Sequence, residues 1–543
     1  MANPGAPFHP IIYVRGYAMS KGEINETTAD PFCGFNLGST VHRATPEKEH
    51  AAKKFIFESP VVRLRSDFEY TDVFENGLDI MDDDWEPRPR PSDNGKPAGI
   101  SNRSIIIYRY YDKASTLLGD DERPEIEEFA QGLSGLILRV KKLVCANKQN
   151  AIAPEDFRCY LVAHSMGGLV CRAFLQNPKL GDAEALACVD KFFTFATPHN
   201  GIDMAGFNVP SWLSANDINN FSRDRMADYL NLKPIFKKTD RVDWLPEKFF
   251  DPQRVFCMIG TNRSDYEAAQ GLSRTFAGHG SDGLVRIENA SIWGTSDNEG
   301  KDWQPCASAY AYRSHSGFFG IVNSEESYQN LIRFLFGDVR VDIWLDIDAV
   351  RLPKELDEAV KSGKVVNALY QFELLASPRG CRWYLTRRVA EEDSVACRTQ
   401  KELTDPANTK ARSIYLSSVF LGHHWKVNKD KPSLAYGLTL GVRVPDYELD
   451  RKFWRNAHFE GGYLFHDNLV LELFPPEHDG EPWKVDHDWQ ADNRGHVLKP
   501  LVPSVTDDDK IELTVPFDND SESGPTFPGI SGKLRFVASE WNA

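Results

Sequence analysis

The sequence predicts two fold classes in series. An α/β domain comes first, with a mostly parallel sheet and helices on both faces; an antiparallel β domain, a sandwich, follows it. Three observations carry this. Over residues 1–337, short apolar runs alternate with segments of helical period, as in strand–helix–strand units. Over 338–543 the apolar residues recur at every second position and helical period is sparse. A chain of 543 residues is also too long for one ordinary core.

The elements follow in order. "PIIYVRG" (10–16) is a short buried strand ending at Gly16, and "SIIIYRYY" (104–111) is another. In "PEIEEFAQGLSGLILRVKKLV" (124–144), Ile126, Phe129, Leu133, Leu136, Ile137, Val140 and Val144 fall at helical spacing, and Pro124 suits a first turn. "FRCYLVA" (157–163) is a strand and "MGGLVCRAFLQN" a helix. "VDKFFTFATP" (189–198) and "RVFCMIGT" (254–261) are two further strands, and "SEESYQNLIRFLFG" (324–337) is an amphipathic helix stopped by Gly337. Two stretches, about 42–97 and about 201–252, fit no sheet element and are expected to be insertions near the open end of the sheet. Beyond 338, "VRVDIWLDI", "NALYQFELLAS", "RWYLTRR", "SIYLSSVFLG", "LAYGLTLGVRV", "NLVLELF", "KIELTVPF" and "GKLRFVAS" read as strands, with one helical stretch near 353–363. Trp344, Trp383, Trp425 and Trp454 there are core residues or a contact surface, the core being favoured. The β domain is assigned no chemistry; its expected roles are substrate presentation, partner binding or stability.

Hydrophobic residues make up 41% and charged residues 26%, which fits a folded soluble protein. A net charge of −16 argues against binding nucleic acid or an anionic membrane through bulk charge. The basic residues Lys233, Lys237, Lys238 and Arg241 read as a solvated surface. The cysteine count is nine, with no C-x-x-C pair, which suggests a reducing compartment. No basic segment followed by an apolar one opens the chain, and no apolar run is long enough to span a bilayer. The expected location is cytoplasmic, with export without a cleaved signal left open.

The chemistry gathers around "AHSMGGLVCR" (163–172). A strand, a sharp turn and a helix, with small residues two before and two after a serine, is a nucleophile elbow. Ala163 and Gly167 are the small residues, and the turn lifts the Ser165 hydroxyl above the sheet. It also aims the Met166 N–H at the same spot. A serine needs a base. Between Ser165 and the β domain stand only His199, His279 and His315. His315, in "YRSHSGFFG" just ahead of the last helix, is the chosen base. Asp282, in "GSDGLVRIENA", is the chosen acid over Asp203 and Asp190. Gly16 ends the first strand, and the Tyr17 N–H is the second oxyanion donor.

These pieces resemble the α/β-hydrolase superfamily, and its lipase branch in particular. "PIIYVRGYAMS" resembles the lipase segment that usually reads His-Gly at the strand end. "AHSMGGLVCR" is similar to the lipase elbow, "TFATPHNG" to a Thr-Pro-His-x-Gly segment, and "SDGLV" and "SHSGF" to the acid and base loops. The resemblance covers about residues 1–337; the β domain resembles no named family. One departure is Arg15, which stands where the family carries His. It leaves backbone donation by Tyr17 intact and changes the polarity beside the pocket. The resemblance implies an esterase acting on lipidic acyl esters, such as triacylglycerols, phospholipids or lipid-anchor acyl groups. Arg15, His164 and His199 are expected to line its substrate pocket. Thioesterase or peptidase chemistry on the same fold, and a non-catalytic binding role, are the alternatives. No cofactor or metal is called for, since the acidic loop "PPEHDGEPWKVDHDWQADNRGH" (475–496) has no recognised ligand spacing. Met204, Phe207, Trp212 and Leu213 in the 201–252 insertion, a candidate lid, face lipid or core with equal weight. The β domain is left as a candidate surface for a protein partner.

Overall fold

The computed structural model describes residues 7–16, 41–42, 54–55, 59–73, 80–82, 85–87, 99–108, 110, 125–202, 220–264, 280–297, 299–316, 320–449, 457–474, 484–490, 499–506, 510–521 and 523–542. Two compact units result: Met1–Ser308 with Tyr312–Leu335, and Ala309–Ala311 with Phe336–Ala543.

The first unit is built on a seven-stranded sheet. In chain order its strands are β1 (Ile11–Val14), β2 (Thr71–Asp72), β3 (Ser104–Tyr108), β4 (Cys159–His164), β5 (Val189–Phe195), β6 (Val255–Gly260) and β7 (Ala307–Ala311). The spatial order is β7-β6-β5-β4-β1-β3-β2. The pairs β2–β3, β3–β1, β1–β4, β4–β5 and β5–β6 are all parallel. Strands such as β4 and β6 are buried along their whole length, because helices cover both faces of a parallel sheet. The principal helices are α1 (Ser59–Phe68), α2 (Ile126–Ala146), α3 (Met166–Gln176) and α4 (Glu325–Phe336). On α2 each apolar residue singled out by its spacing is buried.

Three features differ from the sequence expectation. The stretch 42–97, expected to lack sheet elements, contributes the edge strand β2 and the helix α1. Val61, Leu64 and Phe68 bury one face of α1, a period that was readable; β2 is two residues long and has no period to read. The stretch 201–252 holds helices Arg223–Tyr229 and Lys233–Thr239. It also holds strand Trp244–Pro246, in a separate three-stranded sheet with Trp293–Thr295 and Trp303–Pro305. The strand β7, "ASAYA", is alanine-rich and gives no β-branched signal. Met204, Phe207, Trp212 and Leu213 lie outside the described residues, as do Tyr17, Cys33, Pro124, Asp203, His279 and Trp454.

The second unit is an antiparallel β-sandwich. One sheet orders Ser413–Leu421, Val339–Arg351, Gly529–Glu540, Ile511–Asp518 and Ser504–Val505. The other orders Thr386–Arg388, Val366–Pro378, Leu434–Leu449, Ala457–Phe474, Lys484–Trp489 and Lys499–Leu501, with Ala396–Thr399 beside Val366–Pro378. Ile343, Leu345, Val515 and Leu534 from the first and Phe372, Leu374, Leu440 and Leu469 from the second join one core. Alternate residues face it, so Val339–Arg351 reads buried and half-buried in turn. Trp383 packs on this core, and Trp344 makes an edge contact with Tyr415 at 5.4 Å. A helix over Lys354–Lys361 occupies the expected stretch, and a second, Gln400–Thr404, is capped by a Thr399–Glu402 box. Among the described residues no helix is long and apolar enough to cross a membrane.

Candidate active site

The turn between β4 and α3 is the starting point. Ser165 sits there at φ 52° and ψ −128°, backbone angles that cost an L-residue energy and persist only where the surroundings impose them. Its N–H donates to the Phe195 carbonyl on β5 at 2.9 Å. The small residues two positions away are required by contact. A Cβ on Gly167 would stand 2.2 Å from the Val14 carbonyl oxygen, so any side chain there would collide with the end of β1. Ala163 is wholly buried in β4. The Met166 N–H opens α3 and meets no acceptor among the described residues, leaving a donor beside the Ser165 hydroxyl.

Two loops bring partners to that hydroxyl. After β7, His315 places Nε2 2.9 Å from Ser165 Oγ. After β6, Asp282 places Oδ2 2.9 Å from His315 Nδ1. Ser165, His315 and Asp282 thus form one hydrogen-bonded chain, in the order hydroxyl, imidazole, carboxylate. Asp282 is 1% exposed and His315 2%. The second Asp282 oxygen, Oδ1, accepts the N–H groups of Leu284 at 3.0 Å and Val285 at 2.7 Å, which fixes the carboxylate plane. Gly283, at φ 103°, lets this loop double back. The two loops are also joined directly, the His315 N–H donating to the Asp282 carbonyl at 2.9 Å.

His164 is buried, and its Nε2 donates to the His315 carbonyl at 2.9 Å. Burial, then the neighbouring His315 and Arg15, lower its pKa to about 3, so the ring is neutral and Nε2 carries the proton. It therefore braces the loop that carries His315. Arg15 is half-buried one residue before Gly16. His199, expected to line the substrate pocket, lies in the interior at 0% exposure. Its Nε2 bonds Thr194 Oγ1 at 3.2 Å, Nδ1 has no partner among the described residues, and burial holds its pKa well below the ordinary value. Asp190 lies at the start of β5, at the other end of the sheet from Ser165. Lys238 pairs with Glu299 and Lys233 with Asp228 on a solvated surface, as expected, whereas Arg241 pairs with Asp243, which is wholly buried.

Sequence reasoning missed Arg172. On α3, two turns after Ser165, it is 1% exposed. Its guanidinium donates to Gln176 Oε1 (2.8 Å) and to the carbonyls of His199 (2.8 Å), Val242 (2.9 Å) and Trp244 (2.8 Å). Burial lowers its pKa only to about 10, so it stays charged. It ties α3 to the segment after β5 through His199 and to the strand Trp244–Pro246 and the residues before it. The segment after β5 also presses Thr197 against α3, where a Cβ on Gly168 would meet Thr197 Oγ1 at 2.2 Å. The only signal in the sequence was an arginine inside an otherwise apolar helix.

The strand order, the elbow after β4, and the acid and histidine loops after β6 and β7 define an α/β-hydrolase fold. No family model matches the sequence, and no curated protein matches it. Among solved structures, the chain is similar to phospholipase PlaB from Legionella pneumophila, with 12% identity and a TM-score of 0.32 over 83% of this chain and 90% of that one. It is similar to the same phospholipase in complex with thio-NAD (12%, TM-score 0.30, 91% of each chain). It is also similar to the mature form of Bacillus licheniformis lipase BlEst2 (14%, TM-score 0.24, 55% of this chain and 87% of that one). These likenesses are distant, and the functional reading rests on the geometry of the site. Among the described residues no group of three or more His, Cys, Asp or Glu side chains could hold a metal ion.

Proposed function

We propose that the chain is a serine hydrolase cleaving carboxylic acyl esters, with lipidic esters as its substrate class. The observation that carries the reading is the Ser165–His315–Asp282 chain, with both contacts at 2.9 Å, ending on a serine in elbow conformation. Ser165 Oγ attacks the ester carbonyl while His315 Nε2 takes its proton. Asp282 holds the imidazole with Nδ1–H toward the carboxylate and stabilises the imidazolium that forms. The Met166 N–H, with that of Tyr17 as its partner, stabilises the oxyanion. His315 then protonates the leaving alcohol. A water activated by the same histidine cleaves the acyl-enzyme, and the acid product leaves with Ser165 restored.

The test is covalent labelling of the purified chain by a fluorophosphonate, read by intact mass, alongside hydrolysis of p-nitrophenyl esters of graded chain length. One adduct on Ser165 and turnover rising with acyl length are expected. Absence of labelling with the fold intact would remove the assignment. Labelling with turnover confined to acetyl and butyryl esters would keep the hydrolase and remove the lipidic substrate.

A further inference from the structure

The β-sandwich holds a cavity of about 290 Å³ that ester hydrolysis does not use. Two loops build it. One is the turn after strand Val366–Pro378, where the Cys381 N–H donates to the Pro378 carbonyl at 3.1 Å and Gly380 takes φ +91°. The other spans 422–433, closed by the Lys426 ammonium donating to the Pro432 carbonyl at 2.7 Å. The loops touch: a Cβ on Gly380 would stand 3.4 Å from Val427 Cγ1.

Three kinds of surface line the cavity. Arg379, Lys426 and Lys431 supply cations, and no carboxylate among the described residues pairs with any of them. Trp425 and Tyr436 supply aromatic walls. Glu472 and Ser433 are buried, and the Ser433 hydroxyl donates to Glu472 Oε1 at 2.5 Å. The other Glu472 oxygen makes no hydrogen bond among the described residues.

Each surface asks for a different part of one ligand. The three cations outnumber the one carboxylate of the lining, Glu472, so the cavity carries an excess positive charge that an anion neutralises. A carboxylate oxygen without a donor is completed by a hydroxyl. An aromatic wall accepts the C–H face of a small carbon skeleton. We propose that this cavity binds a phosphorylated polyol, either free or as the head group of a lipid. The phosphate meets Arg379, Lys426 and Lys431. A hydroxyl donates to Glu472, and the carbon skeleton lies against Trp425. This site is independent of the hydrolase reading, since its test involves no hydrolysis.

The experiment uses the full-length chain. Calorimetric titration compares myo-inositol 1-phosphate with inorganic phosphate. Sedimentation compares vesicles of phosphatidylcholine alone with vesicles that also contain phosphatidylinositol. The inositol phosphate should bind about tenfold tighter than inorganic phosphate. Arg379→Ala with Lys431→Ala, both on loops, should keep the unfolding midpoint and weaken binding about tenfold or more. Glu472→Gln should abolish the preference for the inositol phosphate and spare inorganic phosphate. Retention on phosphatidylinositol vesicles identifies the lipid as the source; binding of the soluble ester alone identifies the free compound. No binding in either assay, or binding undiminished in the folded double variant, overturns the proposal.

Discussion

At the carboxyl ends of the parallel strands sit Ser165, His164, Asp282 and His315. At their amino ends sit His9, Tyr160, Asp190, Lys191 and Arg254. Both groups are rich in buried or half-buried ionisable side chains, and each holds groups whose pKa burial displaces: His164 at the carboxyl end, and His9, Tyr160 and Lys191 at the amino end. At the amino end, burial lowers His9 to about 4 and Lys191 to about 8. The difference lies in where their hydrogen bonds go. The Lys191 ammonium is spent on the Leu335 carbonyl at 3.1 Å, and Tyr160 Oη on the Pro7 carbonyl at 2.7 Å. Asp190 lies between Lys191 at 3.7 Å and Arg254 at 3.4 Å. These bonds anchor strands to the backbone and to one another. At the carboxyl end the side chains bond in sequence, and the sequence ends on a serine oxygen. Displaced pKa values mark burial at both ends; only the connectivity separates chemistry from architecture.

That contrast can be broken by substitution. Ser165→Ala should cost roughly 10⁵- to 10⁶-fold in kcat on a p-nitrophenyl ester, because the covalent step needs its oxygen. His315→Ala should cost a similar factor, and the double variant little more; losses that add in the double variant would break the pairing. At the amino end, Lys191→Met should leave ester turnover within about twofold, since its bonds lead to no reacting atom. A large loss of kcat there, in a protein with unchanged unfolding, would erase the distinction between the two ends.

Next comes the girder behind the elbow. Arg172→Leu strands the carbonyls of His199 and Val242 and the Gln176 Oε1 in the interior, while the Trp244 carbonyl keeps Gln176 Nε2 as its donor, and should cost about 3 kcal/mol in urea unfolding. A cost under about 1 kcal/mol would mean that the loop after β5 is held by other contacts.

The smallest effect, read per pH unit, concerns acid. His164 and His9 are held neutral, with folded pKa values of about 3 and about 4 against 6.5 when unfolded. Between these limits the unfolded chain binds more protons, so stability rises with pH there and falls as the medium is acidified below about 6.5. Each histidine contributes at most about 1.4 kcal/mol per pH unit in its window. His164→Asn and His9→Asn should each flatten the acid limb of stability against pH. An unchanged slope in both variants would show that other groups set it.

Much of this was legible because it is local. An elbow needs only a strand, a serine between small residues and a helix, and all of that lies within 163–172. The Asp282 and His315 loops were legible by chain order and glycine flanks. What the sequence concealed depends on distant partners. Arg172 reaches Trp244, 72 residues on, and a helical arginine does not announce three carbonyl acceptors from another segment. His199 follows β5, as expected, but its ring turns inward to Thr194, and rotamer direction at a strand end has no sequence signature. The strand β2 is too short for periodicity, and β7 too rich in alanine.

The backbone angles of Ser165 have a consequence for how this chain could change over generations. At φ 52° glycine is the more comfortable residue, and Ser165→Gly should raise stability by about 1 kcal/mol while ending ester turnover. Selection for folding alone would therefore pull this codon toward glycine, one base change away from some serine codons. A serine maintained there is held against a thermodynamic gradient, a trade-off that only a benefit from its hydroxyl can sustain. A descendant chain that had surrendered catalysis and kept its scaffold would be recognisable by what stands at this one position, with the rest of the elbow unaltered.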